Sequence, residues 1–375
     1  MDTVKIGIVG AGQIGKAHLE QYMDIPGAAV TAICDINLEE ARRVADRHGI
    51  AKVYADYREM LEQEELNAVD VCLHNNYHMP VTVAALEAGK HVYCEKPIAG
   101  SYTDGLRMVE TARRCGKMLH IQLAHLYDKE TKAAKQIIDA GKLGRLYHAR
   151  STGFRRRNRP YVDGYGTAAF TRQETAGGGA LYDMGVYHIA RMLYLMGNPK
   201  AERIAGRTYQ EIAMDEERRA SSGFDVEEMA AGFVRFAGGI TLDIIESWAL
   251  QLGGLEGSSI VGSEGGIRLP GAVSDREPHG FSFHTTIAGL DMDCTIDLER
   301  ADRRNRMLSP YPDAYASSQH HWISALQGQV PLLPTAEIAL NTMLISEGIY
   351  LSHRLGREVT TDEVAQASQS TAIAL

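Results

Sequence analysis

Apolar and polar positions change rhythm part-way along the chain. In the first third, short apolar runs predict strands at Val4–Val9, Ala29–Cys34, Lys52–Tyr54, Ala68–Leu73, His91–Cys94 and Met118–Leu123. Helical spacing falls between them, as at Leu38–Arg47, Pro80–Ala88 and Thr103–Cys115. This alternation specifies a doubly wound parallel sheet, which takes ligands at the carboxyl ends of its strands. Beyond residue 124 one helix, Lys129–Ala140, precedes strand-like runs at Met229–Phe236, Ile240–Ser247, Gly257–Val261 and Thr285–Ile296, punctuated by Gly-Gly pairs at 238–239, 253–254 and 265–266. That is the pattern of a mostly antiparallel meander. Helices at Ser317–Gln327 and Thr335–Leu355 close the chain. The expectation is an α/β domain over residues 1–124 and an α+β domain over 125–375, with a large open-faced sheet. A bare apolar sheet face predicts self-association as a homodimer or homotetramer.

The first predicted strand runs into a G-x-G-x-x-G, VKIGIVGAGQIG, with Gly10, Gly12 and Gly15 in the three places. Gly10 allows a tight turn, Gly12 a close approach to pyrophosphate, and Gly15 the packing of the next helix on the strand. Gln13 and Ile14 begin that helix, whose free N–H groups suit phosphate. The second strand ends in Asp35, twenty residues after Gly15, where a carboxylate accepts ribose hydroxyls. Asp35 repels a 2′-phosphate, and Ile36 and Asn37 offer no cation, so NAD is expected rather than NADP; Asn37 reads as the helix cap, with Glu40 three residues on.

Three further segments carry chemistry. GKHVYCEKP, Gly89 to Pro97, puts Glu95 and Lys96 at a strand's carboxyl end, where a lysine eases deprotonation of a substrate hydroxyl. GGGALYDMGVYH, Gly177 to His188, sets Asp183 and Tyr187 four apart, with His188 about 100° round a helix from Tyr187. FRRRNRPYVDGYG, Phe154 to Gly166, joins Arg155, Arg156, Arg157 and Arg159 to Tyr161 and Tyr165, a pattern suited to an anionic group and a sugar face, or to a plain solvated surface.

A net charge of −9 over 375 residues argues against nucleic acid or an anionic membrane as partner. The five cysteines (Cys34, Cys72, Cys94, Cys115, Cys294) contain no C-x-x-C pair and read as reduced, in a cytoplasmic protein. No secretory leader, membrane-spanning run or metal-ligand spacing is read; His320 and His321 lack the company that makes ligands, so no metal is expected.

Taken together, GAGQIG, GKHVYCEKPIA, KLGRLY, GGGALYDMGVYH and EGIYLSHRLGREV resemble the Gfo/Idh/MocA oxidoreductases across nearly the whole chain. The resemblance implies a Rossmann domain, hydride transfer at a sugar-like carbinol, Lys96 as catalytic lysine, and roles for Asp183 and the residue four beyond it. Asn75 and His78 match the family's cofactor loop, and Glu95 and Lys96, at their strand's carboxyl end, are expected to point into the cofactor crevice. Many members carry His where Tyr187 stands, and the family's further aspartate is Ala190 here, so Tyr187 and His188 both stand as acid–base candidates. The leading expectation is an NAD-dependent dehydrogenase of a sugar or polyol. One alternative is an NAD-dependent glycosidase working by transient oxidation, with His125, Tyr161, Tyr165 and His188 near the glycosidic bond and the arginines on an anionic sugar. The other is a non-catalytic NAD sensor.

Overall fold

The computed structural model describes residues 3–63, 65–164, 166–270 and 280–373. Its contacts divide the chain into two units. The first holds the chain up to Gln122, Leu308–Ala339 and the stretch from Ser370; the second holds Leu123–Met307 and Leu340–Gln369.

In the first unit, β1 (Val4–Val9), β2 (Ala28–Cys34), β3 (Lys52–Tyr54), β4 (Ala68–Val71), β5 (His91–Cys94) and β6 (Leu119–Ile121) form a sheet in the order β3-β2-β1-β4-β5-β6. Every pairing is parallel. The strand order reverses between β1 and β4, which is where such a sheet opens a ligand crevice. Ile6, Ile8, Ile33 and Ala68 are buried on this sheet together with Leu19, Tyr22 and Val44 of the flanking helices. Trp322 and Ile323, from the returning helix Ser318–Leu326, complete that core. Local chemistry matches the sequence reading at Leu38–His48: Asn37 caps it by accepting from Glu40 N at 3.2 Å, and Gly49 ends it in the left-handed region at φ 69°. The helix predicted from Pro80 begins earlier, at Asn75, with Pro80 in its second turn.

The second unit is built on β7 (Leu146–Phe154), β8 (Ala201–Tyr209), β9 (Met229–Phe236), β10 (Thr241–Ser247), β11 (Ser259–Gly262), β12 (Gly265–Arg268), β13 (Ser282–Ile287), β14 (Leu290–Thr295) and β15 (Val359–Thr360). Their order is β14-β13-β12-β11-β7-β10-β9-β8-β15, antiparallel except for β7 beside β10. The single strand predicted over Thr285–Ile296 is instead a hairpin, β13 to β14, turning at Ala288 (φ 54°) and Gly289 (φ 80°). Among the described residues no helix is long and apolar enough to cross a membrane.

Candidate functional site

In the first unit the glycine motif forms the mouth of the helix Gln13–Met23. Gly10 has φ 107°, and a Cβ there would lie 2.3 Å from the Cys72 carbonyl oxygen. A Cβ on Gly15 would lie 1.9 Å from the Gly10 carbonyl oxygen, whereas one on Gly12 would meet nothing within 4 Å. Gly12 is the helix N-cap without a side-chain cap, so the first-turn N–H groups face an open approach flanked by the exposed Gln13 and Ile14. At the end of β2, Asp35 accepts from Ala11 N at 2.7 Å through Oδ2 and from Asn37 N at 2.8 Å through Oδ1. These bonds fix the carboxylate beside the glycine turn. The nearby cations are engaged elsewhere: Lys16 pairs with Glu40, and Arg43 forks onto Glu40 at 2.6 and 2.8 Å. A backbone cradle, a fixed acid, and Lys16 and Arg43 both held on Glu40 fit NAD rather than NADP.

Lys96 is half-buried on the turn after β5, and its bond to Pro97 is cis. Asn75 opens its helix half-buried, at the carboxyl end of β4. Two residues expected to line the cofactor are interior instead. His78 is fully buried, its ring nitrogens 2.8 Å from Pro97 O and 2.9 Å from Leu73 O, so it ties the Leu73 turn to the Pro97 turn. Glu95 is buried too and accepts from Lys96 N at 2.9 Å.

In the second unit, Leu181–Gly185 makes a π-helical turn that runs into the helix Val186–Met196. Such turns interrupt a regular helix and recur at functional sites. The three glycines before it admit a close anchor: Glu227 accepts from Gly179 N at 2.8 Å and Leu181 N at 2.9 Å, and a Cβ on Gly179 would lie 1.9 Å from the Glu227 carbonyl oxygen. Burial pushes the Glu227 carboxyl up to about 6, against the pull of those N–H bonds. Asp183 rides on the anchored turn, accepting from Trp248 Nε1 at 3.0 Å with Arg155 at 3.6 Å.

His188 is buried, and its Nδ1 lies 2.9 Å from Glu246 Oε2. Glu246 is fully buried and takes a second bond from Ser151 Oγ at 3.1 Å. A Cβ on Gly153 would lie 1.9 Å from Glu246 Oε2, so the pair rests directly on a glycine of β7. His125 stacks on Tyr187 with ring centroids 5.0 Å apart and meets the His188 ring at 5.4 Å. Tyr187, His188 and His125 are thus one cluster, backed by a carboxylate.

The arginine run is divided. Arg159 was expected to meet substrate, but it is fully buried: it donates to Asp163 and Glu228 at 2.8 Å each, and to the Ile212 and Ala213 carbonyls. With its donors engaged there, it organises the loop. Arg157 is mostly exposed, 3.9 Å from Asp163. Tyr161, at φ 60°, carries the Arg218 guanidinium 5.3 Å over its ring. Tyr165 lies outside the described residues.

Glu246, Trp248 and Glu227 escaped the sequence reading. Glu246 did leave a signal: Leu242 and Ile244 alternate into the core along β10, and Glu246 takes the next inward position.

Two family models cover most of this geometry. One, for an oxidoreductase family with an NAD-binding Rossmann fold, matches residues 4–140; the other, for the GFO/IDH/MocA C-terminal domain, matches residues 131–268. The chain is 31% identical over 255 residues to D-glucoside 3-dehydrogenase of Escherichia coli K12, spanning 66% of this chain and 71% of that protein. The chain belongs to the GFO/IDH/MocA oxidoreductase family. As a family member it is an NAD-dependent oxidoreductase. Myo-inositol 2-dehydrogenase of Thermotoga maritima is 27% identical over 365 residues, covering 96% of this chain and 99% of the relative. Among solved structures, levoglucosan dehydrogenase with NADH and levoglucosan shares the fold at a TM-score of 0.76 and 21% identity, over 96% of this chain and all of that one.

Proposed function

We propose that this family member oxidises a secondary hydroxyl of a sugar or polyol. The observation that carries the reading is the carboxylate-backed cluster of His188, Tyr187 and His125 beside the anchored Asp183. When bound along the glycine turn and Asp35, NAD supplies the hydride acceptor.

Lys96 hydrogen-bonds the substrate oxygen and stabilises negative charge developing on it. His188 accepts the hydroxyl proton at Nε2, because Glu246 at Nδ1 fixes the tautomer and stabilises the imidazolium that forms. Tyr187, half-exposed and stacked on His125, orients the substrate hydroxyl toward His188. Asp183 holds Arg155 and Trp248 in place around the substrate.

Arg155, Arg157 and Arg159 each face a carboxylate, which favours an uncharged substrate over an anionic one. Relatives named as glucoside and inositol dehydrogenases favour net oxidation over glycoside hydrolysis or NAD sensing. An open sheet face suits pairing with another copy, which sedimentation would read as a dimer or tetramer. The direct test incubates the protein with NAD and a panel of neutral and anionic sugars, polyols and aryl glycosides. NADH formed in step with loss of a neutral substrate is the expected result. Aglycone release without net NADH would overturn it.

A further inference from the structure

A group of ionisable side chains sealed inside the first unit has no part in the steps above. His18 lies one turn beyond Gly15 in the helix Gln13–Met23 and is 3% exposed. Its Nδ1 is 3.0 Å from Asp70 Oδ2 in β4, and its Nε2 is 2.9 Å from Glu95 Oε1 after β5. Both carboxylates are buried. Cys72 Sγ lies 3.2 Å from the same Nδ1 and donates to Asp70 Oδ1 at 3.3 Å. The Tyr93 ring meets the imidazole edge-on at 5.5 Å, and Tyr22, on the same helix, lies in the field of Asp70. The charge of Lys96 also acts on Glu95.

A neutral imidazole has one N–H and one lone pair. Either tautomer would therefore aim a lone pair at a buried carboxylate oxygen about 3 Å away. An imidazolium donates to both, forming two charge-assisted hydrogen bonds. Burial opposes the charge on His18, yet the field of Asp70 and its hydrogen bond hold the pKa well above the usual 6.5. Burial likewise pushes Glu95 up, but His18 and Lys96 keep its carboxyl below the ordinary value. Burial also pushes the Cys72 thiol up, so the carboxylates are what hold the proton.

The second oxygen of Glu95 accepts the main-chain N–H of Lys96 at 2.9 Å. We propose that His18 is a positioning residue for Lys96. As an imidazolium clamped between Asp70 and Glu95, it fixes the carboxylate that holds the Lys96 backbone, and so ties the helix opening on the dinucleotide to the turn carrying the reactive lysine. This rests on the role assigned to Lys96 above.

The test has one arm independent of turnover. In ¹⁵N-histidine NMR of the whole protein, the signal absent from His18→Gln should show two protonated ring nitrogens at pH 7, where an ordinary histidine is mostly neutral. A lone-pair nitrogen at pH 7, from a neutral ring beside a protonated acid, would overturn the clamp. The second arm is kinetic. His18→Gln should lower kcat about 10²-fold, the scale of a small misplacement of a reacting group, with the Kd for NAD changed less than about threefold. Glu95→Gln should do the same, and the double variant no more than either alone. Additive losses, or kcat retained in His18→Gln, would overturn the positioning role. If the wild type oxidises nothing in the panel, the substrate reading fails. The ¹³C-methylated Lys96 signal, assigned with Lys96→Arg, then decides: a shift in His18→Gln upholds the coupling and no shift refutes it. Should either variant not fold, the wild-type signal is assigned instead through its proximity to the Tyr93 ring, 5.5 Å away, and its imidazolium signature still decides the clamp.

Discussion

The two units prepare for ligands by opposite means. In the first, recognition is written in the backbone: Gly10 and Gly15 leave room for neighbouring carbonyls, Gly12 leaves open space, and side-chain charge is buried beneath as a clamp. In the second, the chemistry is gathered from side chains far apart in sequence, with His188 meeting Glu246, Asp183 meeting Trp248, and the glycine turn meeting Glu227. Nucleotide phosphates ask only for N–H groups at a helix end, which a short motif supplies. Moving a proton off a carbinol needs a base with a fixed tautomer, and that takes a partner from another strand.

Variants that strike one means and spare the other test this contrast. The largest effect is expected from Lys96→Ala, which should lower turnover about 10³–10⁴-fold while NAD titration by fluorescence stays near wild type. Joint loss of both would mean that Lys96 holds the cofactor more than the substrate. Gly15→Ala should strike the other means: its Cβ would sit 1.9 Å from the Gly10 carbonyl oxygen, so binding of NAD should collapse and the fold lose about 1–3 kcal/mol of stability to overpacking, read as a lower melting temperature. Glu246→Gln should cut kcat about 10²-fold, with NAD affinity unchanged, because the His188 tautomer is no longer fixed; unchanged kcat would leave Tyr187 as the proton acceptor. Glu227→Gln puts an amide donor against one of two backbone N–H groups, and should cost about 1–3 kcal/mol in denaturant titration.

The smallest effect concerns pH. His18 has a folded pKa raised above 6.5, so its stabilisation is complete below 6.5 and is lost as pH rises through the raised value. Wild-type protein should therefore lose melting temperature on the alkaline side more steeply than His18→Gln. Parallel curves for the two would show that His18 is not charged in the folded state.

How much of this could be read beforehand follows the same division. The six parallel strands, the Asn37 cap, the glycine turn and Asp35 were legible because each depends on residues within one βα unit. Lys96, Asp183, Tyr187 and His188 were legible as motif positions, but their surroundings were not. Arg159 reads as one more substrate-facing arginine in a run, and only the fold shows it enclosed by Asp163 and Glu228. His78 and Glu95 match cofactor segments, and only the fold shows them turned inward.

By itself the sequence determined the order of elements, the dinucleotide turn and the preference for NAD, since hydrophobic period, glycine freedom and a nearby charge act over a few residues. Tertiary structure alone decided that Glu246 stands behind His188, that Glu227 anchors the glycine turn, and that His18 bridges two carboxylates. Those pairs are 58, 48, 52 and 77 residues apart, and the worth of a buried charge depends on which partner strand pairing and burial bring to it.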